Sequence, residues 1–247
     1  MAYSDITIND PNAIKRWLQA ARFNTAIDLY GQTDTPLTVL DFGAGNGHLC
    51  LKLANVDRQS KFLCYEPSPT QRAQAVQLVG NHPRIQIIDT LDETCNLVAD
   101  ITFCLEVMEH LPEREMEHAL DAILSITKAD GMMIFGVPNE IFGAAAYKGL
   151  FRLFRRRGAL RHRYSHFETS LVNILKATVG LPPKGRPLYE MDGLINYHFT
   201  HMGFDHRSFE KELARRDLIV KKFYSPSRFL GQALSPEIYY QVAKRLP

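Results

Sequence analysis

The chain has 247 residues, 45% of them apolar, and sets 29 Lys and Arg against 27 Asp and Glu for a formal net charge of +2. That length can bury a full core in one domain, 1–247, and so balanced a charge speaks against a DNA-binding protein. There is no run of some eighteen apolar residues for a membrane span, nor the basic start and apolar core of a signal peptide, so a cytoplasmic protein is expected.

Residues 1–10 read as a frayed terminus, and Pro11 suits the first turn of a helix over 12–30, where Ile14, Trp17, Leu18, Ala21 and Ile27 recur at helical spacing. After a turn at 34–36 comes T-V-L-D-F-G-A-G-N-G-H-L-C, residues 38–50. Val39, Leu40 and Phe42 suit a strand buried on both faces of a parallel sheet. Gly43, Gly45 and Gly47 then remove every second side chain, so the backbone can turn sharply and lie directly against a ligand. A dinucleotide fingerprint would read G-x-G-x-x-G. Here the third glycine comes one residue early, and Asp41 precedes the set by two positions. A carboxylate there is a poor neighbour for pyrophosphate and a good one for a cation, which points to the sulfonium and amino group of S-adenosylmethionine.

Four more motifs follow in order. K-F-L-C-Y-E-P places Glu66 and Pro67 at the end of a second strand, and Ser68 then caps a helix through Leu78. I-Q-I-I-D-T is a third strand, 85–88, closed by Asp89. A fourth strand, 100–105, runs into L-E-V-M-E-H-L, putting Leu105, Glu106, Glu109 and His110 at the sheet edge where open α/β folds bind ligands. Pro112 opens a helix through Thr127, residues 129–131 turn, and 132–137 is a fifth strand ending in V-P-N. The four cysteines, Cys50, Cys64, Cys95 and Cys104, form no C-x-x-C pair and read as reduced thiols.

With five ordered motifs over 37–139, the chain resembles the class I S-adenosylmethionine-dependent methyltransferases. The resemblance implies a Rossmann-like α/β fold: a mostly parallel sheet of seven strands, the last antiparallel. It also implies a cofactor site built from Asp41, Gly43, Ala44, Gly45, Gly47, Glu66, Pro67, Asp89, Thr90, Leu91, Leu105 and Glu106. Glu66 would accept from both ribose hydroxyls, and Asp89 would receive the adenine amino group beside the backbone of Thr90 and Leu91. The helix over 12–30 would cover this pocket, with core packing as its other reading. The matching E-H-L element shapes the loop beside the cofactor, so packing or capping is expected of His110 ahead of catalysis.

Residues 140–204 depart from the shared core as a helical insertion on the substrate side, a lid. Within it Tyr147, Leu150, Phe151 and Phe154 fall on one helical face and Lys148, Arg152, Arg155 and Arg156 on the other, with no acidic residue between Glu140 and Glu168. Three readings stay open for this basic helix: a lid with a solvated cationic face, a site for an anionic acceptor, or a membrane-surface contact through 147–157. A second helix is read at 165–179 and a proline-rich loop at 180–187. The last helix is read at 205–215, capped by Asp205, the sixth strand at 218–223 and the antiparallel seventh at 238–243.

N-Y-H-F-T-H-M-G-F-D-H, 196–206, holds three of the nine histidines and should return over the pocket. Where the acceptor is a hydroxyl, methyl transfer needs alignment and a base, so His198 or His201 is expected to act as base or to orient the acceptor, with Tyr197 nearby. Histidines bonded to backbone at a loop-helix junction are the structural alternative. A metal site on His198, His201 and His206 would need a carboxylate pattern that does not accompany H-x-x-H, and no metal is expected.

The function expected is methyl transfer from S-adenosylmethionine, leaving S-adenosylhomocysteine, to a small-molecule acceptor, at oxygen. The alternatives are an RNA or protein methyltransferase docking through the basic run at 148–163 and a cofactor-binding protein without turnover. Residues 104–107 read C-L-E-V where the amino-group methylases of bases and glutamine carry N-P-P-Y. The oligomeric state stays open.

Overall fold

The computed structural model describes residues 13–91, 98–156, 165–193 and 195–245. Residues 1–10, Pro11, Cys95 and the 157–163 part of the basic run lie outside the described residues.

Nine strands and nine α-helices are assigned among the described residues. The first unit runs α1 (Ala13–Tyr30), β1 (Thr38–Phe42), α2 (His48–Val56), β2 (Lys61–Tyr65), α3 (Pro69–Val79) and β3 (Ile85–Ile88). There follow β4 (Ala99–Leu105), a 3-10 turn over Met108–His110, α4 (Glu113–Ile126), β5 (Thr127–Pro138), α5 (Phe142–Arg156), α6 (His166–Thr169) and α7 (Leu171–Thr178). A hairpin of β6 (Tyr189–Met191) and β7 (Ile195–Tyr197) leads to α8 (His206–Arg215), β8 (Leu218–Ser225), α9 (Gly231–Leu234) and β9 (Glu237–Lys244).

The main sheet has seven strands in the order β3-β2-β1-β4-β5-β9-β8. β3, β2, β1, β4 and β5 pair in parallel, and β9 runs antiparallel between β5 and β8. Val39 and Leu40 of β1 are fully buried, as a central parallel strand requires. One face packs Phe23, Ala26 and Tyr30 of α1 with Leu49 and Leu53 of α2. The other packs Leu120 and Ile123 of α4 with Phe209 and Leu213 of α8. Because every parallel strand points the same way, the loops after β1, β2, β4 and β5 collect at one edge.

Three local departures have plain causes. The helix read through Thr127 ends at Ile126, because Thr127 pairs with Ala99 and the register shifts between Ala99 and Ile101, so the turn read at 129–131 becomes an irregular start to β5. The single helix read at 165–179 breaks at Ser170, whose hydroxyl caps α7 by accepting from the Asn173 N–H at 3.4 Å. The β6/β7 hairpin, its turn holding Asp192 at φ 56° and Gly193 at φ 69°, stands in a stretch read without strands.

The expectation of a solvated cationic face on the basic helix is overturned for its first two cations. Lys148 Nζ donates to Glu140 Oε1 at 3.0 Å and to the Asn139 and Pro236 carbonyls, while Arg152 donates to both oxygens of Glu140 at 3.1 and 2.9 Å. Glu140 is buried, and these two cations hold its carboxyl ionised, below its ordinary range, against the desolvation that would raise it. The helix therefore turns these two cations inward and leaves Tyr147, Leu150 and Phe154 exposed, with Leu171, Leu175 and Val179 exposed on and just after α7, which packs against it.

Candidate functional site

The glycine loop leaves β1 with Gly43, Gly45 and Gly47 all in the left-handed region, at φ 75°, 56° and 77°. The Gly43 and Ala44 N–H groups both donate to the Tyr65 carbonyl at 2.9 Å, tying the loop to the end of β2. A Cβ on Gly43 would come within 2.5 Å of Val107 Cγ2, so only glycine lets the segment after β4 close on the loop.

Glu66 is buried at the end of β2, and each of its oxygens accepts one backbone N–H: Oε2 from Gly45 and Oε1 from Ser68, both at 2.8 Å. Burial raises its pKa and these bonds work against that rise. Each oxygen keeps a second lone pair for a ligand hydroxyl. Asp41 is buried two residues before the loop; burial, with Glu66 near, pushes its carboxyl up to about 7. A bare backbone cradle, a held carboxylate with lone pairs to spare and a second carboxylate that gains from a cation fit S-adenosylmethionine.

The rest of the predicted cofactor set is spread along the same edge. Pro67 follows Glu66, and its carbonyl accepts from Arg72 at 3.1 Å. Asp89 and Thr90 are exposed after β3, with Asp89 Oδ2 3.7 Å from Arg72 Nη2, and Leu91 packs against the core. Leu105 ends β4 opposite Gly136. Glu106 takes φ 56°, uncommon for a residue with a side chain, and its carboxylate lies 3.0 Å from Arg22 of α1. Arg22 Nε also donates to Glu237 Oε1 at 3.0 Å, so α1 is pinned across the edge by a cation between two carboxylates. Trp17, on the same helix, is 56% exposed, so its ring is not what anchors α1.

The β6/β7 hairpin reaches back to this edge. Asp192 accepts from the Ser68 and Thr70 hydroxyls at the start of α3, at 2.5 and 2.9 Å, two residues from Glu66. These bonds lower the Asp192 pKa.

A second cluster forms just after β4. Glu109 is fully buried, and neither of its carboxylate oxygens has a hydrogen-bond partner. Its Oε1 lies 3.8 Å from His110 Nε2 and 3.8 Å from His201 Nε2, and the two imidazole nitrogens are 3.3 Å apart. Burial pushes Glu109 up to about 8. It pushes His110 down, and it pushes His201 far down with the help of the positive charge of His110, Lys148, Arg152 and Arg22. Arg186, from the proline-rich loop, braces both sides of the cluster by donating to the Glu109 and Thr200 carbonyls.

The two candidate bases thus separate. His201 joins Glu109 and His110. The His198 ring turns to the Pro187 carbonyl, its Nδ1 3.0 Å away, while its main chain holds His110: the His198 N–H donates to the His110 carbonyl at 2.7 Å, and His110 Nδ1 donates to the His198 carbonyl at 2.6 Å. The Tyr197 ring lies beside that of Tyr189 within the hairpin, centroids 6.2 Å apart and planes tilted by 48°. His206 is buried elsewhere, against Gln232 and 3.8 Å from Glu210. The sequence puts Glu109 and His110 at the ligand edge but assigns Glu109 no role and His110 a packing part; the signal for more is E-H in the turn just after a strand at that edge. A groove of about 700 Å³ beside the cluster, bounded by Met108, Met116, Pro182, Arg186, His198 and Phe204, does not include the glycine loop.

A family model described as a methyltransferase domain matches residues 11–179. No curated protein matches the sequence. Similar solved structures include the plantazolicin methyltransferase BpumL in complex with SAH, at 15% identity over 98% of this chain and 89% of that one, TM-score 0.56. The mitomycin 7-O-methyltransferase MmcR is 15% identical over 99% of this chain and 61% of that one, TM-score 0.54. The small RNA methyltransferase HEN1 is 16% identical over 93% of this chain and 26% of that one, TM-score 0.59. Such identities speak for the fold, and the family model speaks for the lineage. With the strand order, the glycine loop and the carboxylates beside it, the chain belongs to the methyltransferase-domain family as an S-adenosylmethionine-dependent methyltransferase of the class I, Rossmann-like kind.

Proposed function

We propose that the protein methylates an oxygen of a small-molecule acceptor and that the acceptor's proton is handled at Glu109, His110 and His201. S-adenosylmethionine supplies a methyl group already activated by the sulfonium charge, so the chain has to contribute alignment and a place for the proton. The observation that carries this reading is the meeting of two imidazoles and a buried carboxylate directly after β4, the strand beside β1 and its glycine loop. The acceptor oxygen loses its proton toward the His110–His201 imidazole pair, of which His201 is the more exposed at 29% of its side chain. It then attacks the methyl carbon in line as the carbon-sulfur bond breaks, and the electron pair stays on sulfur. His198 is a positioning residue in this scheme, acting through its main chain on His110, and Tyr197 contributes to the wall next to it.

MmcR and BpumL, natural-product methyltransferases by name, favour a small-molecule acceptor. HEN1 by its name, and the basic run at 148–163, favour an RNA or protein acceptor instead. Against that, Lys148 and Arg152 already neutralise Glu140, which also weakens the case for an anionic acceptor. A membrane-surface contact through 147–157 draws on the exposed Leu150 and Phe154 and would be read by sedimentation with anionic vesicles.

Incubation of the protein with methyl-labelled S-adenosylmethionine and a metabolite extract tests the reading. Label in a small molecule, on oxygen by mass spectrometry, is expected. Label confined to RNA or protein, falling steeply with salt for RNA, would overturn it.

A further inference from the structure

Glu109 presents a problem that the hydrogen bonds of the fold do not solve. Its carboxyl is buried with both oxygens unpartnered, a state that is costly for the ionised form unless a cation sits against it. What faces it is a pair of nitrogens, His110 Nε2 and His201 Nε2.

The tautomer of His110 follows from its other nitrogen. The His198 carbonyl can only accept, so at 2.6 Å His110 Nδ1 carries the proton, and Nε2 of the neutral ring bears a lone pair aimed into the cluster. A ring N–H given to a backbone carbonyl, with the far nitrogen bare, is how metal-ligating histidines are oriented. Among the described residues, Glu109, His110 and His201 form the one group of three whose donor atoms all lie within 4.8 Å of one another.

The spacing also fits an ion. With separations of 3.3, 3.8 and 3.8 Å, a point equidistant from the three atoms lies about 2.1 Å from each, the length of a bond from nitrogen or oxygen to a small divalent cation. Glu109 closes the back of the cluster with no exposure, and the two histidines are partly open in front, at 25% and 29%. Three protein ligands with an open front is the pattern of a catalytic centre, and two imidazoles with one carboxylate suit Mn²⁺, Co²⁺ or Zn²⁺ better than Ca²⁺.

We propose that Glu109, His110 and His201 bind a divalent transition-metal cation whose open positions take the oxygen of the methyl acceptor. The second half rests on the O-methylation reading; the first does not. Coordination lowers the pKa of the bound hydroxyl, so its O–H bond breaks with the proton passing to water. The oxygen's electron pair then forms the bond to the methyl carbon, the carbon-sulfur bond breaks, and its pair remains on the sulfur of S-adenosylhomocysteine. No oxidation state changes. The cation takes over the part given above to the imidazole pair as base, and the two rings instead hold the cation. This departs from the absence of a metal expected from the sequence: no carboxylate accompanies H-x-x-H locally, and the one that joins the cluster comes from the 3-10 turn after β4.

The test is metal binding to the chelator-stripped full chain, with CoCl2 or MnCl2 alone as probe, followed by calorimetry and by the visible spectrum of bound Co²⁺. One Co²⁺ per chain is expected, with at least tenfold weaker binding in His201→Ala and in Glu109→Gln. His198→Ala keeps the main chain that orients His110 and should bind as the wild type does. S-adenosylhomocysteine affinity, measured on the same samples, reports whether each variant is folded, and His201→Asn replaces any variant that is not. Absence of stoichiometric binding, or binding indifferent to both Glu109 and His201, overturns the proposal and leaves the methyl-transfer reading standing with an imidazole base. Binding that depends on these residues, with no label reaching an oxygen, would sink the O-methylation reading and leave the metal site.

Discussion

His110 and His201 face each other through their Nε2 atoms at 3.3 Å, with their ring centroids 4.9 Å apart and the rings 63° from coplanar. One residue ends the 3-10 turn after β4 and the other comes from the return segment just before α8, so the pair joins the shared sheet edge to the part of the chain that departs from it. Each ring is held from behind, His110 by the His198 carbonyl and His201 by a backbone that Arg186 braces at Thr200.

The loop geometry makes Gly43→Ala doubly unfavourable. Alanine at φ 75° costs about 1–2 kcal/mol, and its Cβ would strike Val107 Cγ2, which overpacks the junction by about 1–3 kcal/mol more. Thermal unfolding of Gly43→Ala, Val107→Ala and the double variant separates the two costs. The double variant should recover the steric part alone.

Glu66→Ala is expected to weaken cofactor binding by roughly 1–3 kcal/mol through lost charged hydrogen bonds. It also strips the Gly45 and Ser68 N–H groups of their acceptor. Calorimetry with S-adenosylhomocysteine reads the change, and unaltered affinity would remove Glu66 from the site.

Asp41 predicts a pH dependence. Its carboxyl titrates at about 7 in the ligand-free fold, and a cationic ligand favours the ionised form. Affinity for S-adenosylmethionine should therefore be level above about pH 7 and fall below it, approaching tenfold per pH unit for one proton. The sign for stability is opposite. The folded state keeps a proton that the unfolded chain, with a carboxyl near 3.9, has released. Stability from this group is thus fully present at low pH and is lost as pH rises through about 7. Asp41→Asn should flatten both profiles.

Asp192 ties the β6/β7 hairpin to Ser68 and Thr70. Asp192→Ala should raise the KM for S-adenosylmethionine several-fold with little change in kcat, and hydrogen exchange should quicken over 189–197. Unchanged exchange would mean that packing alone, as in the Tyr189–Tyr197 contact, holds the hairpin.

What could be read from the chain were features whose cause is local. Three glycines at alternate positions demand a bare turn, Ser68 before Pro69 demands a helix start, and alternating or continuous apolar runs demand strands. Two features escaped because their causes lie far off in sequence. Lys148 and Arg152 look like a solvated face until Glu140 is known to be buried beneath them. Glu109 and His110 look like packing until the main chain of His198 turns one imidazole and the return segment delivers the other. The hairpin was within reach: Y-E-M-D-G-L-I-N-Y carries the D-G dipeptide that favours a tight reversal between short strands.

The most direct test compares label transfer from methyl-labelled S-adenosylmethionine into the acceptor fraction found with the wild type, for His201→Ala and His198→Ala, at saturating cofactor and with S-adenosylhomocysteine affinity measured alongside. His201→Ala is expected to lose about 10²–10⁴-fold in rate with cofactor affinity intact, and His198→Ala, which keeps the main chain holding His110, far less. Unchanged turnover in His201→Ala and in the double variant would contradict that expectation, and would move the chemistry away from the end of β4.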